Sequence, residues 1–296
     1  MPEGVEVTVI VDQLNFFLRG RLLEKITIAD NFRRRITGDL GLLVESLPLK
    51  FIRVWNKGKR IIFHLKSLSG STVKDFWLYQ SLMMTGHWSL NDHKHTRMSM
   101  ELKSNEKLGF FNFTELRYID QRIFGTIKIF SDSGELNKEL ENIAKPFLIS
   151  SANASVELIT YDEFYAGIKL CKKKSLTVCL LDQLLICSGV GNWIKSESLY
   201  AAKLSPWVRC DELTDENILV LFTEINRIMH SAYAHGGVSI ENFVDMNGEQ
   251  GNFQDHLQVY GRTTTDRGEK VEKTGSTADK RATYFVREVQ LKSESK

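Results

Sequence analysis

A change in hydrophobic pattern near residues 131–134 divides this chain of 296 residues into two unlike parts. Before the change, apolar and polar residues alternate in short runs that are rich in β-branched and aromatic side chains, which is typical of strands. After it, apolar residues recur with a helical period. We therefore predict an α+β protein with a β-sandwich first and helices second. The predicted strands cover residues 22–28, 50–54, 60–65, 73–78, 97–102, 109–113 and 126–130.

The helical part has recognisable boundaries. Thr160 and Glu163 form the pattern of a capping box, which opens a predicted helix that continues through Leu170. Short strands return after Gly248. Three more helices are predicted between these points, over residues 177–185, 193–202 and 214–235.

The first four residues, Met1 to Gly4, combine two reactive groups. Removal of the initiator methionine would leave Pro2 as the amino terminus, and an α-amino group has a pKa of about 8, so part of it is an uncharged nucleophile at neutral pH. Such amines form Schiff bases with carbonyl carbons, and the carboxylate of Glu3 is suited to proton transfer. A frayed terminus is the alternative. However, apolar residues at helical spacing predict a helix over residues 5–19, which would hold this dipeptide against the protein.

Composition and charge limit the classes of function. A hydrophobic content of 42% supports packed cores. No run approaches the roughly 18 apolar residues of a membrane span and no secretory leader opens the chain, so we expect an intracellular protein without membrane contact. Residues 1–130 hold 20 basic and 13 acidic side chains, whereas residues 131–250 hold 10 and 17. A basic part beside an acidic one is compatible with a polyanion in a cleft, or with an ordinary solvated surface.

The four cysteines predict neither a metal site nor a disulfide. Cys171, Cys179, Cys187 and Cys210 form no Cys-x-x-Cys pair and lie in apolar surroundings. We therefore predict reduced core thiols. No other residue pattern calls for a metal or an organic cofactor.

Residues 181–193 carry the strongest single signal for binding. A predicted helix, a turn with Gly189 and Gly191, and a second helix bring backbone N–H groups and the amide of Asn192 to a helix N-terminus, which is a ready site for an anion. We therefore predict that Asn192 holds a phosphate. The alternative is a helix hairpin whose glycines serve only close packing.

This turn is one of six motifs that follow one another along the chain. The motifs are Met1-Pro2-Glu3-Gly4, Lys57-Gly58-Lys59, Leu82-Met83-Met84-Thr85-Gly86, Asp120-Gln121-Arg122-Ile123-Phe124-Gly125, Gly189-Val190-Gly191-Asn192 and Leu257-Gln258-Val259-Tyr260-Gly261-Arg262. Together they resemble the formamidopyrimidine-DNA glycosylase and endonuclease VIII (Fpg/Nei) family of base-excision repair enzymes. The resemblance extends over nearly the whole chain.

The resemblance implies a fold. It consists of an N-terminal β-sandwich with a leading helix over residues 1–130, a linker over 131–150, a helix–two-turn–helix DNA-binding domain over 151–250, and a C-terminal antiparallel β-hairpin finger with a tail over 251–296.

The resemblance also implies a reaction. It is that of a bifunctional DNA glycosylase and AP lyase, acting as a monomer on damaged double-stranded DNA in the cytoplasm or nucleoid, or in the nucleus of a eukaryotic host. Pro2 would attack C1′ of the damaged nucleotide and Glu3 would move protons during base loss and sugar opening. Lys59 would contact a phosphate near the reacting sugar.

Further residues are implied to handle the flipped nucleotide. A base inside a duplex cannot present its sugar to a buried amine, so the nucleotide must leave the stack. Met84, Arg122 and Phe124, called the wedge residues below, would fill the vacancy. Ile123 departs from the pattern, because several relatives carry a second arginine there. Glu6 is a candidate for lining the same pocket, although the helix N-terminus also favours a carboxylate there.

The finger departs from the bacterial pattern of the family, which binds zinc through four cysteines. Residues 263–277 contain no cysteine, and Val286 and Val289 stand where the last two ligands would fall. We therefore predict a zincless finger held by apolar packing. Arg281, in the basic turn of the finger, would act in catalysis and contact phosphates from the side opposite Asn192.

The identity of the excised base stays open. Residues 236–251 are similar to the loop that covers an oxidised purine in the formamidopyrimidine branch, whereas residues 181–183 and the zincless finger look more like the endonuclease VIII-like branch. We expect ring-opened and oxidised bases to be removed, with formamidopyrimidines favoured. The alternatives are an endonuclease VIII-like enzyme for oxidised pyrimidines and a non-catalytic protein that binds damaged DNA.

Overall fold

A computed structural model describes residues 2–68, 73–104, 113–151, 156–238 and 251–291. Helix α1 (Gly4–Leu18) opens the chain within one residue of its predicted bounds at each end. It starts there because Glu3 and Glu6 form a capping box, and it stops before Gly20, which has a φ of 83° that favours glycine.

Helix α1 connects the two parts of the protein. Val5, near its start, belongs to the core of the helical part, whereas Val7, Val11 and Leu14 belong to the core of the sheet. The N-terminal dipeptide is therefore fixed at the junction of the two cores, and the frayed terminus is excluded.

The described residues of the first part of the chain form nine strands. They are β1 (Leu22–Ile28), β2 (Ile36–Gly38), β3 (Leu49–Lys57), β4 (Arg60–Ser67), β5 (Asp75–Ser81), β6 (Gly86–Ser89), β7 (Thr96–Leu102), β8 (Glu115–Asp120) and β9 (Thr126–Phe130). They form one hydrogen-bonded sheet in the order β2-β9-β5-β4-β3-β1-β7-β8-β6. Phe63 of β4 packs on Trp88 of β6 with ring centroids 5.3 Å apart, and both belong to one core, so the two halves of the sheet face each other. The predicted β-sandwich is confirmed.

Several elements are absent from the sequence prediction. β2 and β6 contain three and four residues, too few to show an alternating pattern. β8 alternates buried Leu116 and Tyr118 with charged residues, a signal that the prediction passed over. The strand predicted over 109–113 lies outside the described residues except for Phe113, which is in no strand. Among the residues described here, the short helices are α2 (Asp30–Arg33), α3 (Leu40–Glu45) and α4 (Ser133–Glu141), the last inside the predicted linker.

Within residues 156–238, the part of the middle that the structure describes, lie four α-helices: α5 (Tyr161–Cys171), α6 (Leu176–Leu181), α7 (Asn192–Ala201) and α8 (Asp215–Ala234). The predicted capping box at Thr160 and Glu163 is present at the start of α5. The predicted end of α6 at residue 185 is wrong, because Gln183 bonds the backbone of Gly189 and Val190 and thereby closes a turn. None of the helices in the described ranges is long and apolar enough to cross a membrane.

The C-terminal finger, residues 251–291, contains an antiparallel pair of strands, β10 (Glu272–Thr274) and β11 (Thr283–Phe285), followed by α9 (Arg287–Gln290). An apolar cluster fills the interior of the finger and joins the finger to Tyr200 of α7. The other members of this cluster are Val259 and Val286, with Val271, Tyr284 and Val289 packed against them. Valine offers no ligand to a metal, so this interior does not fit the zinc of the family's bacterial members.

Candidate active site

Glu3 is held at the N-terminus of α7. Its carboxylate accepts hydrogen bonds from the backbone N–H groups of Trp193 at 2.9 Å and Ile194 at 3.2 Å. A phosphate is the anion that the sequence predicts at this helix end. In the structure a carboxylate of the protein itself occupies these donors, and the helix dipole favours its negative charge.

Glycine at position 191 makes this contact possible. A β-carbon on Gly191 would lie 2.1 Å from Cδ of Glu3, which is far inside van der Waals contact. At the same junction the N–H of Gly4 donates to the carbonyl of Gly189 at 2.8 Å, and a β-carbon on Gly4 would lie 2.7 Å from Cα of Gly189. The glycines of two motifs therefore serve the close approach of two backbones.

Glu3 titrates near neutral pH. Burial raises the pKa of its carboxyl group to about 7 from an ordinary value of 4.5; the charge of Lys59 opposes this rise and that of Glu6 adds to it. Both protonation states are therefore populated near pH 7, which is the condition for efficient acid–base catalysis.

Glu6 links the amino terminus to a second segment. One carboxylate oxygen accepts from the N–H of Glu3 at 2.8 Å, and the other accepts from the N–H of Val238 at 3.0 Å. Burial raises the pKa of Glu6. Residues 239–250, the greater part of the loop predicted to cover the base, lie outside the described residues, so the structure gives only the root of that loop, beside Glu6.

Lys59 lies in the tight turn between β3 and β4. Gly58 in that turn has a φ of 55°, and a β-carbon there would lie 2.6 Å from Cβ of Ser188, so the turn packs directly against the segment before α7. Burial lowers the pKa of Lys59, the charge of Glu3 opposes this effect, and the charge of Arg281 adds to it. The charges of a carboxylate and of a second cation therefore both act on Lys59.

A cleft of about 770 Å³ opens beside these groups. Its wall contains residues from the amino terminus, the β3–β4 turn, the segment after β5, the turn after α6 and the finger; among them are Pro2, Lys59, Leu82, Met83, Gln183 and Arg281. The structure therefore brings three of the four predicted catalytic residues, Pro2, Lys59 and Arg281, to one cleft, with Glu3 buried behind Pro2.

Asn192 connects α7 to the finger. Its side-chain Nδ2 donates to the carbonyl oxygen of Ala282 at 2.8 Å. The predicted phosphate-binding amide thus holds the residue that follows Arg281, and its contact with a phosphate stays a prediction.

A buried ion pair also anchors the finger to α7. Nζ of Lys195 lies 2.6 Å from a carboxylate oxygen of Asp279 and 2.9 Å from the hydroxyl oxygen of Thr283. The side chains of Lys195 and Asp279 are 0% and 4% exposed. Burial lowers the pKa of Lys195, and the hydrogen bond to Asp279 opposes that effect. Asp279 and Thr283, which both contact Lys195, lie on either side of Arg281 in the sequence, and Arg281 lines the cleft.

Replacement of Lys195 by methionine should loosen the finger. The carboxylate of Asp279 would remain buried without its cation, and breaking a buried pair in this way costs about 3–5 kcal/mol. We expect a lower unfolding temperature and at least tenfold weaker binding of an abasic-site duplex. The matched control is Arg287→Met, which breaks the exposed finger pair Arg287–Glu272 at a cost of about 0–1 kcal/mol. Equal effects of the two changes would contradict this role.

The three wedge residues meet on the surface although Met84 is 38 positions from Arg122. Nη1 of Arg122 lies 3.5 Å from Sδ of Met84, and its guanidinium carbon lies 4.6 Å from the ring centroid of Phe124. Met84 and Phe124 are 45% and 36% exposed. Ile123, with a φ of 57°, packs instead against the core of the sheet, so no polar contact arises there.

Asp120 shapes the loop that carries two of the wedge residues. Its buried carboxylate accepts from the hydroxyl of Thr85 at 2.5 Å, from the N–H of Arg122 at 3.2 Å and from the N–H of Gly125 at 2.8 Å. Asp120 therefore joins the Met84 loop to the Arg122–Phe124 loop.

Replacement of Asp120 by alanine should disorganise this surface. The N–H of Gly125 and the hydroxyl of Thr85 would lose their acceptor, at about 1–3 kcal/mol for each buried group left unsatisfied, and the N–H of Arg122 would keep only the hydroxyl oxygen of Thr85. We expect a lower unfolding temperature. We also expect a smaller preference for an abasic-site duplex over undamaged DNA than the unmodified protein shows. Asp92→Ala, at a side chain that is 87% exposed, is the control. Unchanged discrimination by Asp120→Ala would contradict the assignment.

Three buried charges that organise the site were not identified as site residues from the sequence: Asp120, Lys195 and Glu197. Glu197 accepts from the N–H groups of the sixth motif, at 2.9 Å from Gln258 and 2.7 Å from Tyr260. Lys195 and Glu197 lie on α7 among apolar residues, and charged residues inside an apolar helical pattern were the available signal.

Comparisons with known proteins agree with this geometry. Residues 1–127 match the model of the formamidopyrimidine-DNA glycosylase N-terminal domain, and residues 151–244 match that of the formamidopyrimidine-DNA glycosylase H2TH domain. The chain is 30% identical over 258 residues to a formamidopyrimidine-DNA glycosylase of Acaryochloris marina, with 82% of each chain covered. It is 28% identical over 300 residues to one of Prochlorococcus marinus, with 95% of this chain and 94% of the relative covered.

Solved structures extend the agreement to the whole fold. A complex of a Lactococcus lactis FPG mutant with DNA that contains Fapy-dG matches with a TM-score of 0.81 at 26% identity, over 98% of this chain and all of the other. A complex of Lactococcus lactis Fpg with DNA that contains an abasic site also matches over 98% of this chain and all of the other, with a TM-score of 0.80 at 26% identity. This chain belongs to the Fpg/Nei family of DNA glycosylases.

Proposed function

We propose that this protein is a bifunctional DNA glycosylase and AP lyase that excises oxidised or ring-opened bases from damaged double-stranded DNA. The observation that carries the proposal is the dipeptide Pro2–Glu3, with Glu3 bound to the N-terminus of α7 and Pro2 in the wall of a cleft that also contains Lys59 and Arg281. A protein that only binds DNA has no need of a nucleophile beside a carboxyl group that titrates near pH 7. The protein acts as a monomer in the compartment that holds DNA.

The reaction begins with Pro2 after Met1 has been removed. The amine nitrogen attacks C1′, and the damaged base leaves with the electron pair of the broken bond and with a proton from Glu3. Opening of the sugar ring gives a positively charged Schiff base between Pro2 and C1′. Loss of a proton from C2′ then expels the phosphate at C3′ and breaks the strand, and hydrolysis releases the enzyme.

The cations of the cleft hold the DNA backbone in this scheme. Lys59 and Arg281 approach the cleft from the sandwich and from the finger, so they contact phosphates on both sides of the flipped nucleotide. Asn192 holds the finger turn beside them and contributes its amide to the same phosphate-binding surface.

The wedge residues fill the gap that the flipped nucleotide leaves. Met84 and Phe124 supply the apolar surface that stacks against the neighbouring bases, and the guanidinium of Arg122 hydrogen-bonds the base that has lost its partner. Asp120 keeps the two loops in the required arrangement before DNA binds.

Borohydride trapping tests the proposed function. The purified protein should form a covalent adduct with a duplex that contains a lesion when borohydride is present, because the reagent reduces the Schiff base. A variant with one leucine inserted before Pro2 retains an amide at this nitrogen and should form no adduct. Equal trapping by both proteins would assign the nucleophile elsewhere. Tight binding of damaged DNA without any trapping would favour the non-catalytic alternative.

We further propose that formamidopyrimidines are the favoured lesions. Support comes from the relatives, which are formamidopyrimidine-DNA glycosylases, and from a solved neighbour that holds DNA with Fapy-dG. Single-turnover excision from a panel of duplexes, each with one lesion, should be fastest for a formamidopyrimidine. Equal rates for oxidised pyrimidines and purines would overturn this preference in favour of an endonuclease VIII-like enzyme.

A further inference from the structure

Three of the four cysteines converge in the core of the helical part, away from the finger. The Sγ atoms of Cys171, Cys179 and Cys210 all lie within 4.8 Å of one another. They come from three segments: the last residue of α5, the middle of α6, and a short turn at Cys210–Glu212 before α8. Cys187, the fourth cysteine, is buried as well but is not part of this group.

The spacing of the three sulfurs suits a thiophilic ion. Thiolates bound tetrahedrally to Zn²⁺ at about 2.3 Å lie roughly 3.8 Å apart. An ion at the centre of a triangle with sides of 4.8 Å would lie at most about 2.8 Å from each sulfur, so each sulfur needs to move inward by about 0.5 Å. A shift of that size is within the reach of side-chain rotation.

The backbone around the thiols forms a rigid frame. The N–H of Lys174 donates to the carbonyl of Cys171 at 3.0 Å, the N–H of Cys210 donates to the carbonyl of Lys174 at 3.0 Å, and the N–H of Asp211 donates to the carbonyl of Lys172 at 2.9 Å. The backbone of Lys172 has a φ of 48°, which few residues other than glycine adopt. The two segments that supply Cys171 and Cys210 are therefore tied together before any ion binds.

Access also suits the site. Three thiolates around a divalent ion carry one net negative charge. Cys171 is 6% exposed and Cys179 and Cys210 are 0% exposed, so the group lies directly beneath the surface at one edge.

We propose that Cys171, Cys179 and Cys210 form a site for a thiophilic d¹⁰ ion, with Zn²⁺ as the physiological occupant and water as the fourth ligand. The bound ion joins α5, α6 and the turn before α8. The segment after α6 holds Gly191 against Glu3. By fixing α6, the ion therefore stabilises the turn that positions the catalytic carboxyl group. Three thiols that merely pack as small apolar side chains are the alternative.

Cadmium binding tests the site on the full-length protein, reduced and freed of metal by a chelator. One equivalent of Cd²⁺ should produce the ultraviolet charge-transfer absorption of thiolate-bound cadmium, and Zn²⁺ should abolish it by competition. Cys171→Ser, at the edge of the group, should weaken Cd²⁺ binding at least tenfold, whereas Cys187→Ser should leave it unchanged. Absence of the band, or equal behaviour of the two variants, would overturn the proposal.

A second measurement needs no variant. Zn²⁺ should slow alkylation of Cys171, Cys179 and Cys210 in the unmodified protein, as mapped by peptide mass spectrometry, and leave the rate at Cys187 unchanged. Equal rates with and without Zn²⁺ at all four positions would exclude the site. Borohydride trapping does not depend on this result, so failure here leaves the proposed function intact.

Discussion

Replacement of Glu3 by glutamine should slow excision of a damaged base by about 10²–10⁴-fold, the range that a positioned acid or base contributes. Glutamine keeps the size of the side chain and one acceptor for the N–H groups of Trp193 and Ile194, but it carries no exchangeable acidic proton. Affinity for an abasic-site duplex should change little, because Glu3 is 3% exposed and the DNA-facing wall of the cleft is unaltered. Single-turnover excision and equilibrium binding separate the two effects.

The pH dependence gives a sharper test of the same residue. With a pKa of about 7, the carboxyl group of Glu3 passes from about nine-tenths neutral at pH 6 to about one-tenth neutral at pH 8. Because the neutral form donates the proton, base excision should fall as the pH rises through 7, and Glu3→Gln should lose this inflection. Glu24→Gln, at an exposed position on β1, should keep it. An inflection retained in Glu3→Gln would assign it to another group.

Replacement of Gly191 by alanine should abolish excision and destabilise the protein. The new β-carbon would lie 2.1 Å from Cδ of Glu3 and within 2.5 Å of both its carboxylate oxygens, so the side chain must leave the N-terminus of α7. The buried carboxylate would lose two backbone donors. We expect the free energy of unfolding to fall by about 3–5 kcal/mol, the scale for a buried charge that is left uncompensated.

Urea unfolding and borohydride trapping measure the two consequences of Gly191→Ala. Gly41→Ala is the matched control: Gly41 lies in α3 with nothing within 4 Å of a new β-carbon. That change should be neutral or should stabilise by about 0.4–1 kcal/mol, because alanine restricts the unfolded chain. If Gly191→Ala trapped DNA at the normal rate, Glu3 would have no required position and the proposed mechanism would fail.

Helices and strands that are long enough to show their hydrophobic period were predictable from the sequence. α1 and β1 agree with their predicted bounds within one residue, and the capping box at Thr160 identified the start of α5. The end of α6 was not predictable, because the side chain of Gln183 bonds residues six and seven positions further along and stops the helix. β2 and β6 were too short for alternation to emerge.

The candidate active site likewise has a part that was predictable from the sequence and a part that was not. The six ordered motifs and the basic turn of the finger brought Pro2, Glu3, Lys59 and Arg281 into one hypothesis. The structure places Pro2, Lys59 and Arg281 in the wall of one cleft, with Glu3 buried beside Pro2. The buried partners Lys195 and Asp279 are 84 residues apart, and no local pattern relates two charges at such a separation. An anion at the N-terminus of α7 was predictable from the sequence, but the carboxylate that accepts from its N–H groups was not, since Glu3 lies 190 residues away along the chain.

By itself, the sequence determined which local elements form, which residues carry reactive groups, and that the finger lacks the cysteines that zinc requires. These depend on side-chain chemistry and on periodicity within one element. Only the tertiary structure decided that Glu3 caps α7, that Asp120 joins the wedge loops, and that three isolated cysteines meet. The physical reason is that burial, close approach of backbones and the pairing of distant charges arise from the packing of one element against another.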